Sequence, residues 1–348
     1  MGEIRIKSEK IAVYHVTARL VHRRHLLSDV HREVWVEALR RAAAFSGVEL
    51  ITYCCLQNHF HILVRIDPAT KQCSDAELVS RFQALYGTAR AQWCGLDASG
   101  LEHALANDPP DTADRLRGKL RRRMGDVSEF MRTLRQRYTK WFNRASETVG
   151  TLWAERFGSV LIEDTPWLVG LVAAYIDLNP VRAGIAALPE DYRWSGYTAA
   201  LAGDTGIRRA LAQCHPQASD EDDALARYRL LMLGKGAAAK RDGSGARIDP
   251  ASLLEAVRKG GELEMHELLR LKLRFLTQGR ALGSQQWLRE GAGAAALSQM
   301  KKPPACPAVG LLDGTDLAVA RPKLAKRCVE EPKQEQPIHA MQQTTMAK

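Results

Sequence analysis

Two short constellations in the chain carry residue types that do chemistry. His59 and His61 flank Phe60. At the start of a strand, residues i and i+2 point to one face, so both imidazoles can meet a single metal ion. The same pattern also describes two histidines at a surface or a core edge. The second constellation is Tyr175 with Asn179 four residues on. On a helix that spacing stacks the phenol and the carboxamide on one face, a turn apart. A plainer alternative is a buried tyrosine tied by its hydroxyl to a neighbour, followed by an asparagine that ends the helix. Of the eight tyrosines, only Tyr53 and Tyr175 have an amide side chain four residues later. Tyr53 falls in an expected strand, where four residues span about 13 Å, too far for shared coordination.

These residues need elements that hold them in place. Ile11 to Leu20 is rich in β-branched and aromatic residues and predicts a strand. A basic turn follows, His22-Arg23-Arg24-His25. Residues 30–45 carry Val34, Ala38, Leu39 and Ala42 at helical spacing and stop at Gly47. Val48 to Cys55 and His61 to Ile66 predict two more strands, joined by Leu56-Gln57-Asn58. The order β-α-β-β predicts an antiparallel sheet with a helix on one face. Residues 151–162 predict another strand, broken at Gly158. Thr165-Pro166 then opens a helix in the preferred manner, a cap followed by proline. That helix carries Tyr175 and is expected to stop at Asn179, because Pro180 disfavours α conformation in the residue before it.

Residues 69–126 fit the sheet poorly and are expected to form an insertion. They hold one expected helix, 75–90, then a Gly- and Asp-rich stretch and Pro109-Pro110. The insertion ends in a basic run: Arg115, Arg117, Lys119, Arg121, Arg122 and Arg123. An amphipathic helix over 128–143, with Ser128 as its expected N-cap, adds Arg132, Arg135 and Lys140 among Tyr138, Trp141 and Phe142. Cations interleaved with aromatics suit a nucleic acid, whose bases stack on rings. The same pattern describes a solvated face over a core. With Arg23 and Arg24, these basic residues are the candidate phosphate contacts. Helical stretches at 204–217, 220–233, 250–258 and 265–276 predict a separate small helical domain over 205–290. From residue 291 periodicity disappears, so 291–348 is expected to be a disordered tail.

Composition narrows the class. At about 150 residues per domain, 348 residues suggest two. Hydrophobic residues at 45% and charged residues at 26% exclude wholesale disorder. A formal net charge of +10 suits a polyanionic partner. Seven cysteines with no C-x-x-C spacing predict reduced thiols rather than a zinc or redox site. No apolar run reaches the ~18 residues of a membrane span, and the first ten residues have no apolar core of a secretory signal. A cytoplasmic protein with no membrane partner is the expectation.

Together, His59-Phe60-His61 and Tyr175-Ile-Asp-Leu-Asn179 resemble the HUH single-tyrosine transposases. Three further runs are similar to their REP-associated branch: Trp153-Ala-Glu-Arg-Phe-Gly-Ser159, Tyr175 through Asn179-Pro-Val-Arg-Ala-Gly184, and Tyr192-Arg-Trp-Ser-Gly-Tyr197. The resemblance covers roughly residues 10–67 and 127–200, and Tyr175 to Gly184 is its most specific part. It implies a ferredoxin- or RRM-like α+β fold with helices on one face of the sheet, occupying residues 1–204 as the catalytic domain. It implies Tyr175 as the nucleophile, forming a 5′-phosphotyrosine and leaving a free 3′-OH. It also implies His59, His61 and Asn179 as ligands of Mg²⁺ or Mn²⁺. Asn179 stands where better-known insertion-sequence relatives have Gln. The implied partner is single-stranded or hairpin DNA, and such enzymes occur as monomers and as homodimers.

Two imidazoles and an amide oxygen leave coordination positions open, which suits Mg²⁺ or Mn²⁺ better than a closed zinc site. The expected function is therefore a metal-dependent transesterase that cleaves and rejoins single-stranded DNA, at hairpin or repeat sequences. One alternative is a hairpin-DNA-binding protein on the same fold that does not cut. Another is a phosphohydrolase that uses His59 and His61 without Tyr175. Neither alternative forms a covalent protein–DNA adduct.

Overall fold

The computed structural model describes residues 6–21, 27–233, 279–290, 308–309 and 317–320. The basic turn with Arg23 and Arg24, the helices expected at 250–258 and 265–276, and most of the expected tail lie outside the described residues.

The first three strands and the first helix form where the residue pattern places them. β1 (Ala12–Arg19), α1 (Asp29–Ser46), β2 (Val48–Cys55) and β3 (His59–Ile66) follow in order. Ser28 caps α1 by accepting from the His31 amide, while the His31 ring takes the Ser28 N–H. Gly47 closes the helix at φ 62, a left-handed conformation that glycine adopts without strain. β3 pairs antiparallel with β2 on one side and with β1 on the other. β4 (Gly158–Ile162) joins the free side of β1, also antiparallel. It is shorter than the expected strand. Its upstream part pairs with the sheet at a Leu20–Trp153 bridge, and the Trp153 ring packs edge-on to Phe60 of β3.

The class is α+β, as expected, but helices cover both faces of the sheet. Trp35 of α1 packs on Tyr53 and Phe60. Side chains alternate along a strand, so His61 must look the other way. On that second face lies α6 (Pro166–Asp177). Thr165 caps it, accepting from the Leu168 amide at 3.4 Å. Every residue from Leu168 to Asp177 is buried, as befits a helix that is apolar all round. The helix layer expected on one face therefore has a counterpart on the other.

Asp177 pins α6 in place. It accepts from Thr52 Oγ1 on β2 at 2.9 Å, from the Tyr228 hydroxyl at 2.6 Å and from the Tyr197 amide at 3.3 Å. Burial pushes its pKa up to about 7 despite these donors. Gly196 permits the close approach, since a Cβ there would lie 2.8 Å from Thr52 Cα.

The insertion is more helical than expected. It folds as α2 (Asp75–Tyr86), α3 (Ala98–Asn107) and α4 (Pro110–Arg121). They share a second core of Phe45, Leu78, Phe82, Leu101, Leu105, Leu120 and Met124, docked on the end of α1. α5 (Val127–Ala145) follows, capped by Asp126 rather than Ser128: the Asp126 carboxylate accepts from the amides of Ser128 and Glu129 at 2.8 and 3.0 Å.

After α6 come α7 (Asn179–Arg182), α8 (Gly196–Leu201), α9 (Thr205–Ala212) and α10 (Glu221–Leu233). The last two open the segment expected as a separate helical domain. Ile207, Ala210, Leu211, Tyr228 and Met232 instead sit in the main core. β5 (Ala281–Ser284) pairs parallel to β4 and leads into α11 (Gln285–Glu290). β6 (Ala308–Val309) and β7 (Leu317–Ala320) fall where a disordered tail was expected, and extend the sheet beyond β5.

Candidate active site

β1 and β3 bring three imidazoles to the α6 face. Their register sets Thr17 opposite His61 and Arg19 opposite His59, so His15 lies one alternate position along β1 on the same face. His15 Nε2 and His61 Nδ1 are 3.0 Å apart, with the rings stacked at 5.2 Å. Both side chains are buried. His59 is half-buried, its Nδ1 2.6 Å from Asn58 Oδ1, and its ring lies 5.2 Å from that of His61. Burial, followed by the neighbouring His15, His59 and Arg19, drives the His61 pKa well below the usual imidazole range. His61 is thus neutral near pH 7, the form that ligates metals.

α6 lays Tyr175 over this group. Its ring centroid is 6.3 Å from both His15 and His61, edge-on to each. The Asn179 side chain turns back to donate from Nδ2 to the carbonyls of Tyr175 and Ile176, at 3.0 and 3.1 Å. It thus satisfies the last carbonyls of α6. Pro180 does not stop the chain from being helical at Asn179 as expected: α6 closes at Asp177 and Asn179 itself opens α7, where proline is tolerated in the first turn. With the nitrogen so engaged, the side-chain oxygen is the atom left for a cation. The chain continues into α7 immediately, with Pro180 in the first turn, and α7 ends at Arg182, whose guanidinium lies 4.8 Å over the Tyr175 ring.

Two imidazoles and an amide oxygen, the ligands the motif resemblance implies, would leave positions open on a divalent ion. His61 is neutral, and its Nδ1 is held by His15, which leaves Nε2 for a ligand; this matches the outer partner that metal-bound imidazoles ordinarily have. Among the described residues no group of three or more His, Cys, Asp or Glu could hold a metal ion without a further kind of ligand.

The candidate phosphate contacts divide into outward and inward residues. Arg115, Lys119 and Arg122 are exposed along one stripe of the basic run. Arg117 forks onto Asp75 at 2.7 and 2.9 Å and also bonds Asp114 and the Leu105 carbonyl. Arg121 donates to the Cys73 carbonyl, and Arg123 to the Tyr86 and Thr133 hydroxyls. These three hold the insertion together rather than forming one basic face with the others. Arg132, Arg135 and Lys140 come together with Arg156, Trp153 and Phe157 around a groove of about 610 Å³ along α5. Each has a protein partner there: Glu129 for Arg132, the Glu155 carbonyl for Arg135 and Gln92 for Lys140.

Residues 9–83 match the family model described as Transposase IS200 like. The matched span contains His15, His59 and His61 and ends before Tyr175. Among solved structures, one described as a REP-associated tyrosine transposase bound to a REP hairpin is similar, at 17% identity and a TM-score of 0.36. The alignment covers 58% of this chain and 87% of that one. No curated protein matches. Over its first three strands the chain is thus similar to the IS200-like transposases, in line with the resemblance read from its motifs.

Two residues of the site escape sequence reasoning. His15 reads only as part of a strand, because no spacing links it to a histidine 46 residues away; aligning β1 against β3 and marking the shared face would find it. Arg182 stands within the motif run from Tyr175 to Gly184 with no role attached. Its signal is the spacing of seven from Tyr175, two helical turns.

Proposed function

We propose that this chain is a divalent-metal-dependent transesterase of single-stranded DNA, of the transposase class, that cleaves and rejoins strands through a 5′-phosphotyrosine on Tyr175. One observation carries the reading. A single chain brings a tyrosine from α6 within 6.3 Å, ring to ring, of the His61 imidazole on β3. The family match over residues 9–83 supports it independently.

Tyr175 attacks the phosphorus in line with the departing 3′-oxygen, which leaves as a free 3′-hydroxyl. The ester energy stays in the Tyr–phosphate bond, so a second strand end can be joined without ATP. His59, His61 and the Asn179 oxygen would hold Mg²⁺ or Mn²⁺, which supplies positive charge beside a non-bridging phosphate oxygen. His15 fixes the His61 tautomer, and the Asn179 amide nitrogen sets the end of α6 and with it the height of Tyr175. The proposed catalytic unit is a monomer or a homodimer, acting in the cytoplasm. No helix among the described residues is long and apolar enough to cross a membrane.

Single-stranded DNA with hairpin or repeat sequences is the substrate that the motif resemblance implies, and the α5 groove, with Arg132, Arg135 and Lys140, is its proposed path. Incubating the protein with hairpin single strands and Mn²⁺ tests the proposal: a denaturation-resistant protein–DNA adduct is expected. Binding without an adduct would favour the non-cleaving reading, and cleavage without one the phosphohydrolase.

A further inference from the structure

Arg182 holds its charge where an arginine does not ordinarily leave it. The usual arrangement buries the aliphatic stem and keeps the guanidinium in water. Here the residue as a whole is half-buried, yet both terminal nitrogens, Nη1 and Nη2, are shut off from solvent with no hydrogen-bond partner among the described residues. The head group is turned inward, over Tyr175. Burial lowers its pKa to about 10, opposed by Tyr175, so it stays charged at neutral pH.

The aromatic face offsets part of the cost of burying that charge. It leaves the in-plane N–H groups unmet, and an uncompensated buried cation is costly. Arginines that hold this fold together look different: Arg117 spends its nitrogens on Asp75 and the Leu105 carbonyl, and Arg121 one of its own on the Cys73 carbonyl. Arg182 is an unmet fork beside a tyrosine, and the anion that fits a guanidinium fork bidentately is a carboxylate or a phosphate.

We propose that Arg182 anchors the phosphate that Tyr175 attacks, its terminal nitrogens taking the non-bridging oxygens and keeping them in the covalent intermediate. This rests on the reading of Tyr175 as the nucleophile. In the step, the Tyr175 oxygen–phosphorus bond forms and the phosphorus–3′-oxygen bond breaks. The tyrosine gives up its proton, and the departing 3′-oxygen takes one. The diester carries one negative charge before and after. Between those states the phosphorane carries a second, so Arg182 contributes more to the transition state than to binding.

The test uses the full chain as wild type, Arg182→Gln, Arg182→Lys and Tyr175→Phe. The probe is a pool of labelled hairpin single strands with randomised flanks, with Mn²⁺, and the adduct formation rate is read. Arg182→Gln is expected to slow the adduct about 100-fold while strand binding is kept, and Arg182→Lys to fall between. A neutral methylphosphonate at the cleaved linkage should erase the difference between wild type and Arg182→Gln, because no charge is left to anchor. In a parallel measurement, inorganic phosphate should raise the melting temperature of the wild type more than that of Arg182→Gln. Without phosphate, Arg182→Gln should melt no lower than wild type, since a buried unmet charge is gone.

Adduct formation at the wild-type rate in Arg182→Gln overturns the proposal. So does a lower melting temperature with an unchanged phosphate response, which would make Arg182 structural. If the wild type forms no adduct on the pool while the phosphate response still depends on Arg182, the anion site stands and only Tyr175 as nucleophile falls.

Discussion

His15 Nε2 lies 3.0 Å from His61 Nδ1 across two antiparallel strands, and both rings are buried. The contact restricts which nitrogen of His61 can face a metal. Removing it should loosen the ring and weaken metal binding roughly 10-fold, the low end for outer partners of ligating histidines. His15→Ala is therefore expected to need more Mn²⁺ for half-maximal adduct formation, with Mn²⁺ affinity measured directly by calorimetry falling in step. Unchanged affinity would make the pair a packing contact only.

In the proposed site Asn179 has an observed role for its nitrogen and a proposed one for its oxygen, and substitutions separate them. Asn179→Ala removes both the bonds to the Tyr175 and Ile176 carbonyls and the metal-facing oxygen. It should lower stability by about 1 kcal/mol and raise the metal requirement. Asn179→Asp cannot donate to those carbonyls but keeps an oxygen ligand. It should show the stability loss in thermal melts while retaining activity at ordinary Mn²⁺. An alanine variant that cleaves at the parental metal concentration would leave Asn179 as a helix end alone.

Much of this arrangement is legible in the sequence. β1 to β3 carry β-branched and aromatic residues between clear turns, and Thr165-Pro166 marks the start of α6 by a cap whose geometry is local. What the sequence hides depends on tertiary placement. Nothing in the run from Arg115 to Arg123 says which side of α4 faces the insertion core, so Arg117 and Lys119 read alike. α3 is hidden in a Gly- and Asp-rich stretch because Asp97, which looks like loop, is its cap, accepting from Gly100. α9 and α10 look separate because the buried face of an amphipathic helix does not name its partner.

The basic residues should divide in solution as they do in the fold. Neutralising Arg132, Arg135 and Lys140, or the exposed Arg115, Lys119 and Arg122, is expected to flatten the salt dependence of DNA binding. The log–log slope should fall by about 0.7 for each phosphate that is no longer neutralised. Arg117→Ala should leave that slope alone and lower the melting temperature, because its partners are Asp75, Asp114 and a carbonyl. Equal salt slopes for all variants would return these residues to a solvated surface.

Asp177 gives stability a pH dependence of known sign. Its pKa is raised to about 7 in the fold from an ordinary 3.8, so the folded state holds a proton that the unfolded chain has released. Its contribution is fully present below pH ~4 and is lost as pH rises through about 7, on the order of a few kcal/mol. Asp177→Asn keeps an acceptor for Thr52 and Tyr228 without the charge. It should melt higher than wild type at pH 8 and lose that advantage at pH 5. The same melting difference at both values would show that the carboxyl does not titrate in this range.

The proposed chemistry turns on Tyr175. Full-length wild type and Tyr175→Phe are incubated with hairpin single strands and Mn²⁺, and any adduct is digested and mapped by mass spectrometry. A 5′-phosphotyrosine on Tyr175 is expected in the wild type, and none in Tyr175→Phe, which still binds the strand. An adduct that persists in Tyr175→Phe, or that maps to Tyr138 or Tyr192, would contradict the assignment.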